Sequence, residues 1–187
     1  ATPETDEVMI MRKRNPMPVR HGPSSPAPRP AEFETHLPEA ERLVGLGFRY
    51  WMLGRARGEV ECWERAWCLY SGMLGVAGAR MAVDQLASWV RALDNATHRK
   101  IELCAKDCRG FCRDECVAVS MIAACQHNTC PAMRACAFAL AESAMLEDVV
   151  QEAQAFADTM MSLDQVLSPG SILPALATVT PATSSLQ

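Results

Sequence analysis

The chain has 187 residues, 49% of them apolar, and a formal net charge of −4. That length suits one ordinary domain with a real core, and the apolar content excludes a chain disordered throughout. The acidic balance argues against a dedicated nucleic-acid binder, whose footprint is basic.

Residues 1–36 read as a disordered, Pro-rich basic tail. Pro16, Pro18, Pro23, Pro26, Pro28 and Pro30 leave no room for a helix. Arg12, Lys13, Arg14, Arg20 and Arg29 lie between Ile10 and Pro30 with no acid among them, which fits a solvated tail or an arm for an acidic partner. The opening ATPETDEVMIMRKRNP is acidic and then basic, with no apolar stretch. That order is wrong for a secretory signal, so a cytoplasmic location is expected.

The folded part is expected over 37–167. Glu39 and Glu41 follow Pro38 at a helix start, and Leu43, Leu46, Tyr50 and Leu53 share one stripe. Gly54 and Gly58 bracket the stop. A second helix from Glu59 carries Trp63, Trp67, Tyr70 and Leu74, and Gly72, Gly75 and Gly78 soften its end. A third, from Ala79 to Leu93, places Val83, Leu86, Val90 and Leu93 inward. The four tryptophans, Trp51, Trp63, Trp67 and Trp89, all fall on these helices and read as core. Pro131 opens a helix that turns Met133, Cys136, Ala137 and Leu140 inward. The last helix has the cleanest period, through Val149, Ala153, Phe156, Met160, Leu163 and Leu167. Residues 168–187 carry no charge and read as a second disordered tail. The uncharged run from Val117 to Met133 is broken by Gln126, His127, Asn128, Thr129 and Pro131, so no membrane span is expected. The predicted class is all-α, a compact bundle-like domain of five or six helices.

Chemistry, where the sequence offers any, lies in thiols. Seven of the nine cysteines fall between Cys104 and Cys136, and Cys104, Cys108, Cys112 and Cys116 are evenly spaced. Four-residue steps mark one helix face. On a continuous helix the four sulfurs spread over roughly 120° of its surface; a break at Gly110 instead leaves two pairs that can close on one ion. Lys106, Arg109 and Arg113 favour thiolates, whereas Asp107, Asp114 and Glu115 oppose them. Further on, Cys125, His127, Cys130 and Cys136 offer three sulfurs and an imidazole. Zinc, Cu(I) or an iron–sulfur cluster would accept such ligands. The first ligand set expected is Cys108, Cys112, Cys116 and Cys130, with His127 and Cys136 next. Competing readings are core packing with or without disulfides, including Cys62 and Cys68, and a thiol redox switch. No C-x2-C pair is present, which counts against an oxidoreductase, and no phosphate loop or hydrolase motif points to an enzyme.

The ladder CAKDCRGFCRDEC resembles the copper-storage proteins, four-helix bundles whose cysteine-lined interiors load Cu(I); the likeness covers one helix-length. The run CRDECVAVSMIAACQHNTCPAMRACAFAL resembles small helical proteins of proteobacteria with no assigned function. The sequence thus points to a thiol-rich metal-binding or redox-sensing module. Its rival is a structural or adaptor bundle that binds another protein or self-associates.

Overall fold

The computed structural model describes residues 37–173; the two tails expected from sequence lie outside them, apart from residues 168–173. Within them the chain is all-helical. Helix α1 runs from Glu39 to Arg57, with acids in its first turn and Arg55 and Arg57 in its last, as the helix dipole favours. Gly58 closes it in the left-handed conformation (φ 67°), and its N–H donates to the Gly54 carbonyl at 2.8 Å.

Helix α2, Val60–Ala96, joins what the sequence presents as two helices. The join is Gly75, whose φ of 69° and ψ of 171° break the helical path. Before it, Cys62, Ala66 and Tyr70 are buried; beyond it, Ala79, Ala82, Leu86, Trp89, Val90 and Leu93 enter the centre. Helices α3 (Arg113–Gln126), α4 (Cys130–Ala141) and α5 (Glu147–Ser162) complete the bundle. Every residue of α3 from Val117 to Gln126 is buried, so this is the central helix. Trp89 fills the middle of the core, its ring 5.3 Å from Phe48 and 5.8 Å from Phe156. The other tryptophans are less enclosed: Trp51 and Trp63 are half-buried and Trp67 is exposed.

Three sequence expectations change. The stretch from Cys104 to Cys112 is irregular, and the helix begins only at Arg113. Helix α5 stops at Ser162 rather than at Leu167, with Asp164 in left-handed backbone. Leu167 is still buried, because the Gln126 side chain replaces helical partners, donating to the Gln165 carbonyl (2.9 Å) and accepting from the Leu167 N–H (2.8 Å). Residues 168–173, expected in a loose tail, form a 3₁₀ turn at Pro169–Ser171 and pack on the bundle. Buried Glu41 holds this turn, accepting from the Ser168 N–H (2.7 Å) and the Ser171 hydroxyl (2.9 Å). No described helix is long and apolar enough to cross a membrane.

The break at Gly75 separates two glycines that share a helix. A Cβ meets nothing within 4 Å at either Gly72 or Gly75, but only Gly75 has positive φ. Urea unfolding should show Gly75→Ala destabilised by about 1–3 kcal/mol, and Gly72→Ala unchanged or stabilised by up to about 1 kcal/mol.

Candidate metal centre

The site forms where α1, the segment between α2 and α3, and the first turn of α3 meet. Arg49 lies between Leu46 and Leu53 on the inward side of α1, and its side chain is fully buried. A buried guanidinium requires partners for its donors, and it has them. Nε and Nη2 donate to Glu115 Oε1 and Oε2 at 2.8 and 2.9 Å. Nη1 donates to the Cys108 carbonyl at 2.7 Å, and Nη2 donates also to the Gly110 carbonyl. Phe111 lies over the guanidinium with its ring centre 5.1 Å from Cζ. Gly45 makes that stacking possible, since a Cβ there would stand 2.6 Å from the Phe111 ring.

Glu115 is the other half of the pair. Its Oε1 accepts from the Cys104 N–H (3.1 Å), and its Oε2 from the Cys112 N–H (2.9 Å). Cys112 is the N-cap of α3 and Glu115 its third residue, so the second contact belongs to a capping box. One ion pair therefore holds backbone atoms of Cys104, Cys108, Gly110 and Cys112. Asp114 does similar work beside it: it takes a bidentate contact from Arg99 (2.7 and 2.8 Å) and the Glu102 N–H (2.8 Å). Arg99 also donates to the Ala139 carbonyl at 2.7 Å, tying in α4. On the outer side, Lys106 pairs with Glu61 and Arg65 with Asp107, at 2.7 and 2.8 Å.

This scaffold brings thiols together. The Cys104 and Cys112 sulfurs and a Glu115 carboxylate oxygen all lie within 4.8 Å of one another, the one such group of His, Cys, Asp and Glu atoms among the described residues. Sulfurs sharing a tetrahedral zinc stand about 3.8 Å apart, so at most about 1 Å must close. Glu115 itself is not available as a ligand: its two oxygens already accept four hydrogen bonds, the capacity of a carboxylate. The donors on offer are the sulfurs. Burial, the Glu115 charge and the adjacent Cys108 and Cys112 thiols push the Cys104 thiol up to about 12. Burial also raises Cys112 and Cys116. The Cys112 thiol donates to the Glu102 carbonyl at 3.0 Å.

The remaining expected ligands are placed elsewhere. Cys116, one turn into α3, lines a small apolar slot with Phe111, Val119 and Leu173. Cys125 and Cys136 are fully enclosed in the core, where burial lifts Cys125 to about 12 and the Cys136 thiol donates to the Ser120 hydroxyl at 3.5 Å. His127 is the C-cap of α3, its Nε2 2.8 Å from the Leu167 carbonyl oxygen. Cys130 is exposed at the start of α4. Helix α3, roughly 20 Å long, separates Cys112 from His127 and Cys130. The expected set of Cys108, Cys112, Cys116 and Cys130 is thus corrected: one ion cannot reach both ends of that helix. All nine cysteines are free thiols.

The residues that organise the site are not those that sequence spacing singles out. Arg49 was detectable as a charge on an apolar stripe, which demands a buried partner. Glu115 was detectable as the third helical residue after an N-cap.

Removing one partner should be costly. Arg49→Ala leaves the Glu115 carboxylate buried and unpaired, and chemical denaturation should show a loss of about 3–5 kcal/mol. Asp114 has a pH signature: burial opposes its charge, but Arg99 and the Glu102 N–H outweigh that and hold its pKa below the usual value. Stability from this group is complete above about pH 4, the unfolded value, and is lost as pH falls through the depressed folded value. Unfolding free energy measured from about pH 5 down to pH 2 should therefore fall less steeply in Asp114→Asn than in the parent chain.

Comparison with protein-family models, with curated proteins and with solved structures finds no match to this chain, so the role of the thiol cluster has to follow from its geometry.

Proposed function

We propose that this chain is a metal-binding module whose centre is formed by the thiolates of Cys104, Cys108 and Cys112, suited to a thiophilic ion such as zinc or Cu(I). The observation that carries this is the convergence of the Cys104 and Cys112 sulfurs to within 4.8 Å on a backbone held by the Arg49–Glu115 pair. An irregular segment costs conformational entropy to order. Here that ordering is concentrated on the three cysteines rather than spread along the loop.

The thiol switch is the weaker reading. A sensor cysteine works as a thiolate near neutral pH, whereas burial and Glu115 hold Cys104 protonated. A metal ion changes that balance, because its own charge displaces the thiol protons. The packing reading is supported for a different group of cysteines: Cys62, Cys125 and Cys136 are fully buried. A cytoplasmic location accords with this division, since a reducing compartment keeps such thiols free.

Elemental analysis of protein purified without air or chelator tests the proposal. About one equivalent of zinc or copper per chain is expected. The exposed-site variant Cys68→Ser/Cys130→Ser should retain it, and Cys104→Ser/Cys112→Ser should lose it. Metal-free parent protein, or full loading in Cys104→Ser/Cys112→Ser, would sink the idea. Because bound thiols must lose their protons, apparent affinity should also rise with pH across the neutral range. The increase should approach about three decades per pH unit, one for each proton released.

A further inference from the structure

The thiol centre adjoins a cleft. Between the C-terminal end of α1, the end of α2 and residues 97–103 lies a cavity of about 740 Å³, with Cys112 in its wall. That volume is in the range of small-molecule sites. Met52, Leu53 and Leu103 supply apolar wall. The charged groups at the cleft divide into committed and open ones. Asp94 is held by Arg55 at 2.7 Å, and Arg99 by Asp114 at 2.7 Å. Glu102 is also in the lining. Lys100, in the same lining, makes no ion pair among the described residues, and Arg57 reaches only Glu59, at 3.6 Å. Lys100 and Arg57 outnumber Glu102, so the uncommitted charge is positive.

Cys112 therefore connects the metal centre with an apolar, cation-bearing cleft, while Cys116 faces a separate slot of about 160 Å³ under Leu173. Three protein thiolates leave one position of a tetrahedral ion open. We infer that this position faces the cleft and is filled by a small carboxylate-bearing thiol, its sulfur on the metal and its carboxylate on Lys100 and Arg57. This rests on the metal reading above and deepens it. In the binding step the incoming thiol loses its proton to solvent, and a metal–sulfur bond replaces a metal–water bond. No electrons are transferred.

Cobalt(II) is the probe ion, because its thiolate charge-transfer and ligand-field bands report ligand type and number. The full chain is loaded with cobalt and titrated with mercaptosuccinate, with 2-mercaptoethanol as the thiol lacking carboxylates. Mercaptosuccinate should change the ligand-field bands saturably at one equivalent. It should bind at least about tenfold more tightly than 2-mercaptoethanol, and Arg57→Glu/Lys100→Glu should abolish that advantage. Both residues are exposed, so the variant tests the cleft rather than folding. No cobalt–thiolate band in the parent chain would overturn the metal reading and this inference together. A band that Cys104→Ser/Cys112→Ser removes, but that mercaptosuccinate leaves unchanged, would overturn the inference alone. In that case a spectrum altered by Cys116→Ser would identify Cys116 as the fourth ligand. Stripping of cobalt by mercaptosuccinate, or equal binding of both thiols, would likewise overturn the inference and leave the metal centre standing.

Discussion

The structure depends on one buried ion pair. Arg49 and Glu115 are both fully enclosed, and charges removed from water are tolerated only when each polar atom is matched. Here the matching is done by backbone rather than by further side chains. The guanidinium takes carbonyl oxygens of Cys108 and Gly110, and the carboxylate takes N–H groups of Cys104 and Cys112. The pair and the loop therefore complete each other. Without the loop the charges would lack partners, and without the charges the loop's backbone groups would be buried and unsatisfied.

The same logic explains why an irregular segment can sit between helices of a small bundle. Neither helix nor strand satisfies its backbone, so side chains at the start of α3 do so. Asp114 and Glu115 are well placed for this, since the positive end of the helix dipole stabilises both carboxylates. Arg99 then links Asp114 to the Ala139 carbonyl, so the position of α4 is coupled to the loop through a single carboxylate.

Two populations of cysteine follow from this arrangement. Cys125 and Cys136 occupy core space as small apolar groups, one of them hydrogen-bonded to Ser120. Cys104, Cys108 and Cys112 are only partly buried, on backbone whose position is set by charged groups. Chemically identical side chains thus serve packing in one place and present sulfur to a ligand in another, and the difference lies in what holds the backbone.

Much of the bundle was legible from sequence alone. The 3.6-residue periods of α1, both arms of α2 and α5, the proline that opens α4 and the glycine beyond α1 report local preferences and burial, which short stretches of chain encode. The even spacing of Cys104, Cys108, Cys112 and Cys116 was misleading, because it matches a helix face that is not there. Residues 97–112 have little helical organisation of their own, and their conformation is imposed by Arg49, far away on α1, acting through Glu115. The break at Gly75, the halt of α5 at Ser162 and the docking of residues 168–173 by Glu41 were equally beyond local pattern. Sequence by itself determined the helical class, the chain order of the helices and the supply of thiols. Tertiary structure decided which thiols meet, because a buried charge selects its partners by position in space and not by distance along the chain.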